Sequence, residues 1–190
     1  MDCMDRLCAL LVEEALARLP STVPIKVTTP TRVQFTGQTH GVDLATGVCA
    51  VSILRSGDIL ANALQRLAPQ VPVGKVLIQR DEKDPLKRPH LVWKKVTHDL
   101  RSSLVLVLDP MLATGGTAVM CLDELAAKHG LDSANAVLVC VIAAPEGIAA
   151  VHAKHPRCII ITAAIDEGLS AEKYIIPGLG DAGDRYFGVA

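Results

Sequence analysis

Segments with the composition of buried strands alternate with segments of helical periodicity through the middle of the chain. Strands are predicted at residues 47–54, 73–79, 104–108, 136–142 and 158–162, and helices at residues 57–68, 116–128 and 146–155. A strand, a helix and the next strand form a right-handed crossover unit, and a series of such units gives a mainly parallel sheet. Ligands of these sheets bind beyond the carboxyl ends of the strands. The sequence therefore predicts an α/β fold, a mainly parallel sheet flanked by helices, with its functional site at that edge.

The composition agrees with this fold and limits the partners. Half of the 190 residues are apolar and only 3% are aromatic, so Val, Ile, Leu and Ala must form the core, as they do around buried parallel strands. The length predicts one domain over residues 1–190. The net charge is −1, and Lys and Arg are dispersed apart from a modest cluster at residues 83–95. A face that binds nucleic acid is therefore not expected.

The two ends of the chain fall outside the alternation. Apolar residues at helical spacing from Met4 to Leu19 predict an amphipathic helix, which either covers its own core or packs on a second subunit. Weak alternation over residues 24–47 predicts a small accessory hood or hairpin away from the main sheet. Residues 166–190 are dense in Gly and too few for another crossover, so they are predicted to form a structured loop over the carboxyl edge.

The cysteines and the N-terminus predict a soluble, cytoplasmic protein. The six cysteines show no paired spacing and three lie inside apolar runs, which is typical of reduced, buried thiols. The first residues carry acids where a signal peptide needs bases, and no apolar run reaches the ~18 residues that span a bilayer.

The strongest motif is VLVLDPMLATGGT at residues 105–117, in which a buried strand runs into an acidic residue, a small turn and a helix. Such a turn offers backbone N–H groups, two hydroxyls and the positive end of a helix dipole to a phosphate. Asp109, at the end of the strand, is placed to accept hydrogen bonds from sugar hydroxyls. The alternative is an ordinary strand-to-helix turn with an N-capping Thr. A Walker loop is excluded because no Gly-Lys-Ser/Thr sequence follows.

A second motif, PGLGDAGDR at residues 177–185, contains the spacing Gly-x-Gly-x-x-Gly. A dinucleotide fold is excluded because only seven residues follow Gly183, too few for a helix and another strand. The glycines and the Asp residues between them indicate a main-chain surface shaped around a small planar ligand. A flexible tail is the alternative.

Two arginines complete the candidate site. Arg55 follows one predicted strand in ILRSG, and Arg80 follows the next in QRDE. Arg makes multidentate contacts with phosphate, so two at neighbouring strand ends suit a diphosphate. Each taken alone is more typical of a solvated charge at a strand end.

Together, VLDPMLATGGT, VIAAPEGI, TAAIDEGL and YIIPGLGDAGDRYFG resemble the uracil phosphoribosyltransferases, and ILRSG and QRDE fall where that family has two diphosphate-binding arginines. The resemblance runs from Leu7 to the end of the chain. It implies the type I phosphoribosyltransferase fold and transfer of the 5-phosphoribosyl group from phosphoribosyl diphosphate to N1 of uracil, giving UMP and diphosphate.

The resemblance also implies a role for each motif residue. It assigns the diphosphate to Arg55 and Arg80, and the metal-bound donor to Asp181, through water. Uracil is read by main-chain groups of Ile175, Gly180, Asp181 and Ala182, with Met111 and Tyr174 lining the base pocket. The catalytic residues are then Arg55, Arg80, Asp109 and Asp181. The ribose 5-phosphate is assigned to Asp109, Pro110, Met111, Leu112, Ala113, Thr114, Gly115, Gly116 and Thr117.

The resemblance further implies Mg²⁺ as the cofactor and a homodimer or homotetramer as the assembly. Pro110 stands where other phosphoribosyltransferases often carry a second acid, so Mg²⁺ is expected to arrive with the diphosphate rather than on protein ligands. The chain departs from the family in lacking an N-terminal Arg-Asp-x-x-Thr segment, in Ser56, and in KDPLKRP after QRDE. Two alternatives stay open: a non-catalytic module such as a uracil-nucleotide sensor, and a phosphoribosyltransferase for another base.

Overall fold

A seven-stranded sheet forms the centre of the described part of the chain. The computed structural model describes residues 2–19, 22–80, 89–96 and 100–189. The sheet strands are β3 (Val48–Leu54), β4 (Val73–Arg80), β5 (Pro89–Lys95), β6 (Leu104–Leu108), β7 (Met111–Leu112), β8 (Ala136–Ala143) and β9 (Ile159–Ile165). Their spatial order is β5-β4-β3-β6-β8, with β9 on the outer side of β8 and the short β7 also paired to β8.

The parallel register brings the carboxyl ends of the inner strands to one edge. Strand β3 pairs in parallel with β4 and β6, and β8 pairs in parallel with β6 and β9. Every residue of β6 and β8 is buried, which explains why their sequences are uninterrupted apolar runs rather than alternating ones. The predicted mainly parallel α/β sheet is confirmed.

Helices cover both faces of the sheet. They are α1 (Asp2–Ala17), α2 (Gly57–Leu67), α3 (Gly116–His129), α4 (Pro145–Lys154) and α5 (Ala182–Phe187), and a short 3₁₀ turn spans Ser133–Asn135. One apolar core lies under α1 and α2, and a second lies under α3 and α4. Helix α1 buries Cys8, Val12 and Ala15 completely in the first of these cores. Of the two roles predicted for this helix, covering its own core is the one observed.

The predicted hairpin is confirmed as an antiparallel ribbon of β1 (Thr22–Thr28) and β2 (Gln34–His40). Its residues alternate between the two faces, and Val23, Ile25, Val27 and Phe35 share one of them because Val27 lies opposite Phe35. These four side chains are 43% to 60% exposed. The ribbon therefore presents one apolar face to its surroundings.

Two parts of the chain differ from the sequence-based expectation. No strand is predicted between residues 79 and 104, but the stretch HLVWKKV forms most of β5, an edge strand antiparallel to β4. Residues 166–190 were expected to be a loop only, but they contain a two-stranded ribbon of β10 (Gly168–Leu169) and β11 (Ile175–Ile176), followed by α5. The helix forms because Asp181 caps it by accepting from the Asp184 N–H, and Gly188 ends it in a left-handed conformation.

The state of the cysteine side chains agrees with the prediction of reduced, buried thiols, except that one of them is exposed. Cys8, Cys49, Cys121, Cys140 and Cys158 are buried, only Cys3 is exposed, and all six are free. Within the described residues, no helix is long and apolar enough to cross a membrane.

Candidate active site

The phosphate-loop motif follows β6 at the carboxyl edge and is anchored to the neighbouring strand β8. The Asp109 N–H donates to the Val139 carbonyl at 3.1 Å, and the Pro110 carbonyl accepts from Val141 N–H at 2.8 Å. Asp109 is only 9% exposed, so its carboxylate is largely shielded from bulk solvent at the carboxyl edge of the sheet. The loop lines a small pocket with Asp109, Met111, Leu112, Ala113, Thr114, Gly115, Thr117 and Ala118.

Gly115 shapes the turn into α3. It is the N-cap, with φ of +78° and no side-chain cap hydrogen bond, so the alternative of a turn with an N-capping Thr is wrong. Thr114 Oγ1 reaches only Gly116 N–H, at 3.5 Å. The first N–H groups of a helix have no intrahelical partner, and here Gly115, Thr117 and Ala118 at the start of α3 line the loop pocket. This arrangement suits an anion such as the phosphate predicted from the sequence.

The loop between β3 and α2 lies beside Asp109. Ser56 Oγ donates to Asp109 Oδ1 at 3.5 Å. Arg55, whose peptide bond with Leu54 is cis, places Nη2 2.5 Å from Asp184 Oδ1. Because Asp184 belongs to the glycine-rich motif, this loop contacts both of the other predicted motifs.

A partly buried polar network fixes where α2 starts. Asp58 in its first turn accepts from Ser52 Oγ and from Lys75 Nζ, both at 2.8 Å. A Cβ at Gly57 would lie 2.5 Å from the Leu108 carbonyl oxygen, so the helix approaches β6 as closely as only glycine allows. These contacts hold Arg55 and Ser56 at the carboxyl edge.

Two main-chain groups of the glycine-rich segment form hydrogen bonds with side chains. Gly178 N–H donates to Asp166 Oδ2 at 2.8 Å, and Arg185 Nη1 donates to the Leu179 carbonyl at 2.6 Å. Gly178 and Gly180 have positive φ, at 62° and 74°. The alternative of a flexible tail is wrong, because the segment is bonded to side chains on either side of it.

Some of the residues predicted to line the base pocket lie together in the structure, and others do not. Ile175 is buried in a small apolar cluster that also contains Met111, Leu169 and Leu179. Tyr174 is 58% exposed, and Gly180 and Asp181 are exposed as well. Ala182 is buried at the start of α5.

Arg80 is the last residue of β4, next to β3, and so ends at the same edge as Arg55. Its side chain and residues 81–88 lie outside the described part of the chain, so its role stays a prediction. Sequence reasoning missed the contacts of Ser56 and Asp184. In the sequence, the only indication of a role for Asp184 is that an acidic residue occurs within the glycine-rich motif.

A buried thiol on β8 is not suited to nucleophilic chemistry. Burial raises the pKa of Cys140 to about 12, against a hydrogen bond with Thr162 that lowers it and with a further increase from the negative charge of Asp109, so the thiol is neutral near pH 7. A larger cavity of about 360 Å³ lies between α1 and α5, lined mainly by apolar side chains such as Met4, Leu7 and Val141. It contains no residue of the phosphate loop, although Ala182 of the glycine-rich motif lines it, so the predicted phosphate site is not located there.

Comparison with solved structures identifies the class of proteins that share this fold. The hypoxanthine phosphoribosyltransferase of Trypanosoma cruzi is similar in fold, with a TM-score of 0.52 over 87% of this chain and 74% of that one, at 12% identity. A solved structure from Aquifex aeolicus is much more similar, with a TM-score of 0.81, 32% identity, and coverage of 98% and 85%. The fold is that of the type I phosphoribosyltransferases.

The sequence comparisons identify one family within this class of proteins. The family model for uracil phosphoribosyltransferase matches residues 1–189. The uracil phosphoribosyltransferase of Dictyostelium discoideum is 42% identical over 184 residues, which is 97% of this chain and 82% of the relative. That of Lachancea kluyveri is 44% identical over 183 residues, 96% and 81% of the two chains. The chain belongs to the uracil phosphoribosyltransferase family, whose members transfer a phosphoribosyl group to uracil.

Proposed function

We propose that this uracil phosphoribosyltransferase works at the carboxyl edge of its sheet, in one domain, with the residues predicted from the sequence. The loop 109–117 holds the ribose 5-phosphate, Arg55 and Arg80 hold the diphosphate, and Ile175 with residues 180–182 reads uracil. The observation that carries the proposal is the contact of Arg55 with Asp184, together with that of Ser56 with Asp109. Three motifs far apart in the sequence thereby meet at one edge.

The reaction breaks the bond between the anomeric carbon and diphosphate and forms one between that carbon and uracil N1, whose proton leaves with the diphosphate. Positive charge develops on the ribose ring and negative charge on the leaving group. Asp109 beside the ribose and Arg55 beside the diphosphate carry charges of the opposite sign to those that develop. Holding the reactants in line and stabilising the departing group account for catalysis without a protein nucleophile.

Mg²⁺ is the proposed cofactor. Within the described ranges no three His, Cys, Asp or Glu side chains are grouped to hold a metal ion. Asp181 is exposed and uses Oδ1 to accept from Asp184 N–H, which leaves its other oxygen for a metal-bound water. This donor set fits an ion that keeps most of its waters and is carried by the diphosphate. When bound, Mg²⁺ neutralises part of the charge of the leaving group.

A homodimer or homotetramer is the proposed assembly, and the β1–β2 ribbon is its proposed contact. The apolar face of Val23, Ile25, Val27 and Phe35 would be covered by a second copy. Light scattering at micromolar concentration should give at least twice the mass of the chain, and Phe35→Asp should lower it. The matched control is Thr36→Asp on the opposite, polar face of the ribbon, which should leave the mass unchanged. A monomeric wild type would contradict the assembly.

A cytoplasmic location is also proposed, since six free thiols suit a reducing compartment. Fractionation of cells that express the tagged chain should recover it in the cytosol. Recovery from a secreted or organellar fraction would contradict this location.

An assay of diphosphate release with a panel of bases tests the proposed function. Phosphoribosyl diphosphate with uracil should release diphosphate and form UMP, whereas cytosine, hypoxanthine or no base should give little release. Equal release with hypoxanthine would favour a phosphoribosyltransferase for another base. No release with any base, together with tight binding of UMP, would favour a non-catalytic sensor.

A further inference from the structure

At the carboxyl edge, the guanidinium group of Arg55 forms an ion pair with Asp184, and this contact fixes its position. The two residues are 129 positions apart in the sequence, and Nη2 of Arg55 lies 2.5 Å from Oδ1 of Asp184. A guanidinium has five N–H donors arranged as a fork. This contact with a single carboxylate oxygen uses one side of the fork, which leaves N–H groups for phosphate oxygens.

Asp184 is itself held in place. Its N–H donates to Asp181 Oδ1 at 2.9 Å, and the α5 helix that carries it is tied to α1 by Tyr186, which donates to Asp5 Oδ1 at 2.6 Å. The helix also approaches the Arg55 loop closely, since a Cβ at Gly183 would lie 3.8 Å from Ser56 Cβ and 3.9 Å from Arg55 Nη2. The carboxylate therefore has a defined position from which to direct a flexible side chain.

We propose that Asp184 is a positioning residue, which orients Arg55 for the diphosphate and connects the donor site to the segment that reads uracil. This rests on the proposed role of Arg55. A free Arg side chain loses rotamer freedom when it binds a ligand, and a partner that fixes it beforehand removes part of that cost. Since Asp181 caps the same helix, a hydrogen bond joins the partner of Arg55 to the base-reading segment.

The competing explanation is an ordinary surface ion pair, which contributes little to stability and nothing to the reaction. The chain offers a matched control in Asp132 and Arg157, 2.6 Å apart, with side chains 47% and 64% exposed. The corresponding exposures are 39% for Asp184 and 56% for Arg55. Asp132 precedes β8, at the amino end of the strand and so away from the carboxyl edge.

The test compares steady-state kinetics of Asp184→Ala, Asp184→Asn, Arg55→Ala, the double variant with Ala at both positions, and Asp132→Ala. Asp184→Ala should raise the KM for phosphoribosyl diphosphate about tenfold, the effect of removing one coupled polar contact, with a smaller change in the KM for uracil. Asp184→Asn keeps an oxygen acceptor for Arg55 and should recover most of this loss. Asp132→Ala should leave both KM values unchanged.

The double variant separates positioning from an independent effect. If Asp184 acts through Arg55, adding Asp184→Ala to Arg55→Ala should change the donor KM less than twofold, whereas independent effects would multiply. A normal donor KM in Asp184→Ala, an Asn variant no better than Ala, or multiplied effects in the double variant would each overturn the inference. If Arg55→Ala itself binds the donor normally, it is the proposed diphosphate site that fails.

Discussion

Replacing Gly115 with Ala tests whether the phosphate loop has the tight geometry described for it. Gly115 has φ of +78°, and a Cβ there would lie 2.8 Å from the Gly147 carbonyl oxygen and 2.9 Å from Ala150 Cβ. Both neighbours belong to the first turns of α4, so neither can rotate away as a long side chain would. The loop or the helix must move instead.

Two terms set the expected size of the effect. A left-handed conformation costs a non-glycine residue about 1–2 kcal/mol. Overpacking against a rigid neighbour adds about 1–3 kcal/mol. Gly188→Ala is the matched control, because Gly188 has φ of +69° but no described heavy atom lies within 4 Å of its Cβ position. It should show only the first term, so Gly115→Ala should lower the free energy of unfolding by about 1–3 kcal/mol more than the control.

Urea unfolding of the wild type and both variants measures this difference directly, and steady-state kinetics measure its consequence at the site. Gly115→Ala should also raise the KM for phosphoribosyl diphosphate, because the N–H groups that face the 5-phosphate move with the loop. Equal destabilisation by the two substitutions would show that Gly115 and Gly147 are not in close contact, and would refute this account of the loop.

Three further predictions follow from individual residues. Arg55→Ala should lower kcat/KM by the equivalent of about 2–4 kcal/mol while the protein stays folded, and wild-type kinetics would remove Arg55 from the diphosphate site. Gly180→Val should abolish transfer to uracil yet leave donor binding largely intact: φ is +74°, so a β-branched residue strains the turn of the base-reading segment even though the Cβ position is open apart from Arg185 Cδ at 3.8 Å. Retained transfer in that variant would move the base site elsewhere. Burial, helped by the charge of Asp5, raises the pKa of Cys8 from 9.0 to about 12, so the folded state keeps a proton that the unfolded state releases above pH 9. Stability should therefore fall as pH rises from 9 towards 12, and the slope of the free energy of unfolding against pH should be shallower in Cys8→Ala; equal slopes would contradict the shift.

The choice of base provides a separate test of the main-chain recognition of uracil. Uracil presents an acceptor, a donor and an acceptor along O4, N3 and O2, whereas cytosine exchanges the first two. Fixed N–H and C=O groups cannot exchange their roles, so cytosine should be rejected by a factor of about 10⁴ or more. The substituent of 5-fluorouracil leaves that edge unchanged, so this base should be accepted. Cytosine turnover within about tenfold of uracil would contradict recognition by the main chain.

The sequence predicted most of the central fold because its inner strands, β3, β6 and β8, are buried on both faces. The uninterrupted apolar runs of β6 and β8 have few other interpretations once helices of regular length separate them. Strand β5 was not predicted because it is an edge strand: its apolar run is only three residues long, from Leu91 to Trp93, and is followed by two lysines. Helix α5 is only six residues long and begins in a glycine-rich segment, so periodicity could not reveal it.

The candidate site was predicted as separate motifs but not as an assembly. Asp109 and Gly115 lie six residues apart in one motif, so local chemistry was enough to predict the phosphate loop. The contact of Arg55 with Asp184 joins residues 129 positions apart, and nothing in either local sequence specifies the other. Only the packing of α5 against the start of α2 brings them together.

A crystal structure of the enzyme with UMP, or with uracil and diphosphate, tests the central claim most directly. The 5-phosphate should lie against the N–H groups of Thr114 to Thr117, and uracil should lie between Met111 and the main chain of residues 180–182. In the diphosphate complex, Arg55 should contact the diphosphate while it keeps its bond to Asp184. Nucleotide bound in the cavity between α1 and α5, with the phosphate loop empty, would contradict the account.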